Sequence, residues 1–265
     1  MSTQYDNIGI QYNYLKTLPI AKLERINVRD AVAPYVRGAK VLDLACGTGF
    51  YTRALLEWGA KEVVGMDIST EMVKAAKAEV QKVALAEKQK YSFAVGDASE
   101  PFKLDKGPFD LVLGIWLLNY APDHEVMTRM WKNIANHLNP GGVFVGVTPP
   151  PESGTGILRN NVIYHQGPKN GVTLEIIGEV PNGIKTRFTT EWGSEKFFFE
   201  NYHLEKEVFE ASAREGGMEG PFRWRPMQLP QSEEEIRQLD AQLEPGYLDR
   251  YFTAGAHCGM CVVKR

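Results

Sequence analysis

The stretch that decides the fold is Val41-Leu42-Asp43-Leu44-Ala45-Cys46-Gly47-Thr48-Gly49-Phe50-Tyr51-Thr52. Lys40 to Ala45 reads as a buried strand and Phe50 to Trp58 as a helix, with a tight glycine turn between them. Glycine gives that turn access to positive φ and lets a ligand approach the backbone with no Cβ in the way. The open end of such a strand is where doubly wound sheets bind their ligands.

Working outward, short apolar runs alternate with helical patterns as far as residue 148. Glu62 to Met66, Tyr91 to Val95, Phe109 to Ile115 and Val143 to Val147 read as strands. Ser69 to Glu87 and His124 to Leu138 read as helices, the first with Ser69 as N-cap and the second stopped by Asn139-Pro140-Gly141-Gly142. The alternation argues for a parallel sheet covered by helices on both sides. Beyond Thr148-Pro149-Pro150-Pro151 the composition shifts. Val172 to Val180 and Ile184 to Trp192 look like a hairpin around Pro181-Asn182-Gly183, His203 to Arg214 like a helix stopped by Gly216-Gly217, and Phe222 to Met227 like a strand. Ser232 to Leu243 is expected to be helical, and Tyr251 to Val263 to close the sheet.

The chain has 265 residues, enough to bury a sizeable core without disulfides. Its formal charge of −3 and pI near 6.0 lack the basic surface of a general nucleic-acid binder. Hydrophobic residues at 43% and charged residues at 24% describe a globular protein rather than a disordered one. Three cysteines, Cys46, Cys258 and Cys261, cannot all pair within one chain, and the N-terminus has no signal-peptide pattern. No apolar run approaches a membrane span. A soluble, cytoplasmic chain is expected.

The ligand class follows from charge. A dinucleotide fingerprint needs a third glycine, but Thr52 stands there, and Asp43 precedes the first glycine by four residues. An anion is repelled there, and a cation gains. S-adenosylmethionine carries a sulfonium and an ammonium and no phosphate, so it suits the pattern better. Asp67, eighteen residues beyond Gly49, is placed to accept both ribose hydroxyls. Asp97 can accept from an adenine amino group, with Ala98 leaving room for the ring.

Together the motifs DLACGTG, VGMDIS, VGDA, FDLVLGIWLLNYAPD and LNPGG resemble those of the class I S-adenosylmethionine-dependent methyltransferases of the small-molecule type, over roughly residues 38–148. The resemblance implies a Rossmann-like α/β fold: a mostly parallel seven-stranded sheet with helices on both faces and a β-rich insertion or cap over the active site. It implies a single domain over 1–265. Residues 1–37 would be N-terminal cap helices, 38–148 the cofactor-binding core, 149–200 the β-rich lid, and 201–265 the C-terminal helices and closing strands. The cofactor would be wrapped by Ala45, Gly47 and Gly49, held at the ribose by Asp67 with Ile68 and Met72 against adenosine, and met at adenine by Asp97 and Ala98. Ile115 and Trp116 would line the pocket, and Tyr5, Tyr12 or Tyr14 would cover it.

Three residues are candidates for the chemistry. His165 and His203 lie in the variable second part and could act as a general base. Tyr120 occupies the place where some related small-molecule enzymes carry a histidine. For each histidine an ordinary surface or packed residue is the favoured reading. The CxxC at Cys258–Cys261 lacks a second ligand pair at zinc spacing, and no metal is expected. The expected reaction is in-line methyl transfer to nitrogen or oxygen of a small, aromatic or heteroaromatic metabolite, leaving S-adenosylhomocysteine. No nucleic-acid or membrane partner is expected, and the chain would be a monomer or homodimer. Cyclisation or rearrangement on the same fold, or a non-catalytic cofactor sensor, are the competing readings.

Overall fold

The computed structural model describes residues 3–17, 19–149, 172–192, 195–240, 246 and 259–265. Among these, β1 (Lys40–Leu44), β2 (Glu62–Asp67), β3 (Tyr91–Val95), β4 (Phe109–Ile115) and β5 (Leu138–Thr148) run parallel. With β9 (Arg223–Pro226) and β10 (Gly259–Lys264) they form a seven-stranded sheet in the order β3-β2-β1-β4-β5-β10-β9. β10 alone runs against the other six strands, slotting between β5 and β9. A second sheet is three-stranded and antiparallel: β6 (Val172–Val180), β7 (Gly183–Trp192) and β8 (Glu195–Leu204).

The central strands are apolar throughout because both faces are covered. Successive residues alternate sides. Val41, Val63, Leu111 and Leu113 pack with Leu23, Val28 and Val32 of α2 (Pro19–Val36) and with Leu55 of α3 (Phe50–Glu57). Leu42, Val64, Val112 and Phe144 pack on the other face against Met127, Trp131 and Ile134 of α6 (His124–His137). Trp131 is fully buried and meets Phe144 edge-on at 4.8 Å. Burying each such side chain contributes roughly 1.5–3 kcal/mol.

Several expectations shift. The predicted helix from Ser69 to Glu87 ends at Val80 as α4 (Thr70–Val80), and a separate turn, α5 (Leu85–Lys88), follows. Val80 is the last buried apolar residue of that stripe, and Ala84 and Leu85 are exposed, so nothing holds a longer helix down. Ser69 is the N-cap, accepting from the Met72 N–H. The Asn139–Gly142 stop does not separate helix from strand. β5 begins at Leu138 and absorbs those residues in an irregularity between two registers of its pairing with β4. The hairpin forms about Asn182, whose φ of 59° is left-handed. His203 does not begin a helix: it is the penultimate residue of β8, and the helix α7 is Lys206–Glu215. The predicted strand Phe222–Met227 is β9, and the predicted helix Ser232–Leu243 is described as α8 (Glu233–Asp240). The predicted closing strand is described from Gly259 onward. Among the described residues no helix is long and apolar enough to cross a membrane.

Candidate active site

At the end of β1 the chain reverses through Ala45 (φ 60°), Gly47 (φ 53°) and Gly49 (φ 77°), the last serving as N-cap of α3. A Cβ on Gly47 would meet nothing within 4 Å, so that glycine serves the turn conformation and leaves open space beside it. Asp67, at the end of β2, locks this loop. Its Oδ2 accepts the Gly47 N–H at 2.8 Å and its Oδ1 accepts the Ser69 N–H at 2.9 Å. Burial lifts its pKa above the ordinary carboxylate value although both N–H bonds pull the other way. Asp97, just after β3, accepts from the Ser99 N–H at 2.8 Å and the Ser99 hydroxyl at 2.7 Å.

These strand ends open onto a cavity of about 360 Å³. Ala45, Gly47, Asp67, Ile68 and Met72 form one wall, and Asp97, Ala98, Leu117 and Met130 another. Ile115 ends β4, and Trp116 and Tyr120 follow it. Tyr5 and Tyr12 close the top from the N-terminal segment, a short helix α1 (Gln4–Ile8) and a 3-10 stretch (Gly9–Thr17). Among the described residues the cavity lining carries two carboxylates and no Lys or Arg. A pyrophosphate would find no countercharge there.

The N-terminal segment is fastened on each side of the cavity. The Ser69 hydroxyl donates to Asp6 at 2.6 Å, and the Gln4 side chain exchanges two hydrogen bonds with the backbone of Glu200 in β8. Thr48 donates to Asn13 at 2.5 Å, and the Tyr5 and Tyr120 hydroxyls are bonded to each other. Tyr5, Tyr12, Tyr120, Phe199 and Phe188 make a continuous aromatic cluster, with centroids 4.7–6.2 Å apart in successive pairs. Burial raises the Tyr120 pKa, so this hydroxyl stays protonated at neutral pH.

Twelve of the residues expected from sequence thus meet at one cavity: Tyr5, Tyr12, Ala45, Gly47, Asp67, Ile68, Met72, Asp97, Ala98, Ile115, Trp116 and Tyr120. Four others do not line it. Gly49 lies deeper, where a Cβ would stand 3.2 Å from the Ala76 Cβ, so it serves helix packing. Tyr14 lies off the face that Tyr12 shares with Leu15, as a three-residue period requires. Asp43 lies in an adjoining recess of about 30 Å³ with Lys16, Gly47, Thr48 and Tyr51. There it accepts from the Thr52 hydroxyl at 2.6 Å, and burial pushes its pKa up to about 7. His203 stands four residues past Phe199 on β8, roughly 13 Å along the strand. Burial pushes its pKa down to about 4, so it is neutral at pH 7. His165 lies outside the described residues.

Sequence reading missed a polar network behind the cavity. The Lys16 ammonium lies 3.1 Å from the Glu24 carboxylate, its side chain only 13% exposed, and sits over the Tyr12, Phe50 and Tyr51 rings. Burial opposes the Lys16 charge, but Glu24 together with Tyr12 and Asp43 outweighs it, and its pKa is raised. Glu24 also accepts from the Tyr51 hydroxyl and from the Trp116 indole N–H, each at 2.7 Å. Nothing local in the sequence links residues 16, 24, 51 and 116. Asn119, 1% exposed on the turn between Leu118 and Tyr120, was likewise missed; neither end of its carboxamide is hydrogen-bonded.

Residues 41–142 match the family model of the methyltransferase domain. Over 136 residues the chain is 33% identical to an mRNA cap guanine-N(7) methyltransferase of Caenorhabditis elegans, covering 47% of this chain and 35% of that protein. Over 141 residues it is 33% identical to a trans-aconitate 2-methyltransferase of Deinococcus radiodurans, covering 52% of this chain and 48% of that protein. The chain thus spans between about a third and a half of the length of these relatives. Among solved structures it resembles an S-adenosylmethionine-dependent methyltransferase of Clostridium acetobutylicum with a TM-score of 0.60 at 20% identity, covering 91% and 89% of the two chains. Residues 41–142 thus carry a methyltransferase domain, and with its strand order and the reversed β10 the chain has the fold of the S-adenosylmethionine-dependent methyltransferases.

Proposed function

We propose that this chain transfers a methyl group from S-adenosylmethionine to a nitrogen or oxygen of a small, flat acceptor. The observation that carries the reading is the union of a cavity at the glycine turn, whose described lining holds two carboxylates and no cation, with an aromatic closure made by Tyr5, Tyr12, Trp116 and Tyr120.

The residues fit the cofactor part by part. Asp67 has lone pairs left for two ribose hydroxyls after accepting from Gly47 and Ser69. Asp97 and Ala98 suit the adenine edge and face, with Met72 and Ile68 as apolar cover. The recess behind Gly47 sets an acid, Asp43, and a cation, Lys16, side by side, a match for the ammonium and carboxylate of an amino acid. The bound cofactor supplies a methyl group on a positively charged sulfur. The aromatic faces of Tyr5, Tyr12 and Trp116 favour a cation near them and give a flat acceptor a surface to stack on.

Among the described lining residues no side chain outside Asp67 and Asp97 can take a proton at neutral pH. A nucleophile that brings its own lone pair, as a neutral amine or ring nitrogen does, or that is already ionised as an acidic hydroxyl, needs no base from these residues. The protein's contribution is orientation and exclusion of water by the N-terminal segment. Tyr120, held protonated, donates or accepts a hydrogen bond without acting as base. The charge of −3 also favours a small acceptor over a nucleic acid.

The test is transfer of tritium from methyl-labelled S-adenosylmethionine to a panel of anilines, N-heteroaromatics and acidic phenols. Label in an organic product, with one S-adenosylhomocysteine per methyl, supports the reading. Cofactor binding with no transfer to any class, or a rearranged product without label, overturns it.

A further inference from the structure

Glu24 has no place in the cofactor pocket, yet it is 7% exposed and collects three donors from three different elements. Lys16 comes from the 3-10 stretch, Tyr51 from α3 and Trp116 from the end of β4. Two of these donors face different parts of the site. Lys16 lines the small recess beside Asp43 and Gly47, whereas Trp116 lines the main cavity between Ile115 and Leu117.

Trp116 is also held in an unusual backbone state. Its φ is 58°, in the left-handed region where a bulky residue costs on the order of 1–3 kcal/mol. Its N–H is tied to the Val147 carbonyl at 2.9 Å, and its indole N–H to Glu24 Oε2 at 2.7 Å. The residue is thus held at its backbone and at its indole, and the group that holds the indole is the same carboxylate that neutralises Lys16.

We propose that Glu24 is a positioning residue that couples loading of the cofactor's amino-acid end to the placement of Trp116 at the acceptor wall. The inference rests on the reading of Lys16 as the partner of the cofactor carboxylate. A second carboxylate arriving at Lys16 competes with Glu24 Oε1 for the ammonium. With less of its charge compensated, Glu24 becomes a stronger acceptor for the indole N–H at Oε2. Loading then tightens Trp116, and acceptor stacking against Trp116 in turn favours the loaded state, as linkage requires. A purely structural Glu24 would bind the three donors equally with and without cofactor.

The indole itself supplies the readout. S-adenosylhomocysteine is titrated into the full chain, with emission recorded for wild type and for Trp116→Phe, and binding followed in parallel by calorimetry. The expected result is a saturable emission change in wild type that Trp116→Phe lacks. Glu24→Gln keeps the indole acceptor but removes the charge. It is expected to bind S-adenosylhomocysteine within about threefold of wild type or more tightly, and to lose at least fivefold of the Trp116 component. Lys16→Met, saturated at its own affinity, should lose the same component from the other end of the link, which keeps the test valid if Glu24→Gln folds poorly. An undiminished Trp116 response in either variant, or none in wild type, overturns the coupling. Absence of S-adenosylhomocysteine binding to wild type in the calorimeter overturns the cofactor reading itself, and the coupling with it.

Discussion

Replacing Lys16 by Met separates the amino-acid end of the cofactor from the nucleoside end. Met has similar length and keeps the contacts with the Tyr12, Phe50 and Tyr51 rings, which lie 5.1–5.9 Å from the ammonium. What the ligand loses is one charge-assisted bond to its carboxylate, in a recess where the lysine side chain is only 13% exposed, and the Lys16–Glu24 pair goes with it. Such a bond contributes about 1.5–3 kcal/mol, and about 1.4 kcal/mol is tenfold in affinity. S-adenosylhomocysteine should therefore bind roughly 10- to 150-fold more weakly. 5′-Methylthioadenosine keeps the adenine, ribose and sulfur but has no amino acid, so its affinity should stay within about twofold. Glu24 retains the Tyr51 and Trp116 donors, and circular dichroism should show an unchanged fold. Calorimetry of both ligands against both proteins decides the matter. Equal weakening of the two, or no change in S-adenosylhomocysteine, refutes the assignment of Lys16.

Asp43 gives a pH signature. Its carboxyl is raised by burial from 3.8 to about 7, so the folded chain holds a proton that the unfolded chain has released. Stability from this group is present at low pH and is lost as pH rises through about 7. Melting curves from pH 4 to 8 should show this fall in wild type and not in Asp43→Asn, and a fall of equal size in both removes the cause. A cationic group beside Asp43 favours its ionised form, so S-adenosylhomocysteine affinity should rise from pH 5.5 to 8 in wild type and stay flat in Asp43→Asn, as calorimetry would show. Gly216→Ala probes the packing of α7 on α6: the added Cβ would stand 2.3 Å from the Trp131 Cβ and 2.9 Å from the Trp131 carbonyl carbon. A destabilisation of about 1–3 kcal/mol is expected by denaturant titration, and an unchanged midpoint would mean that this contact is loose.

The parallel core was legible because its signals are local. Buried strands read as unbroken apolar runs, and Gly47 and Gly49 announce a turn that requires positive φ. Ser69 announces a helix start. The strand-end acids Asp67 and Asp97 were legible for the same reason, since each sits at a fixed place relative to a strand. β8 was not. Glu195-Lys196-Phe197-Phe198-Phe199 has no clean alternation, and its pairing with β7 is set by tertiary contact, with Phe197 and Phe199 inward and Phe198 out over Arg187. The start of α7 was misplaced into this strand as a result. The Lys16–Glu24–Trp116 link was invisible because it joins three elements far apart in sequence. Tyr14 was over-read because a tyrosine-rich segment says nothing about which ring faces inward until its three-residue period is known.

The most direct measurement is calorimetric titration of S-adenosylhomocysteine into wild type and Asp67→Ala, with NAD⁺ as the comparison ligand. Wild type should bind one S-adenosylhomocysteine per chain and no NAD⁺. Asp67→Ala removes an acceptor for two ribose hydroxyls, at about 1.5–3 kcal/mol each, so its affinity should fall at least about 100-fold. NAD⁺ binding in the same cavity, or S-adenosylhomocysteine binding that is indifferent to Asp67, would contradict the assignment of this site to a methyl-donor cofactor.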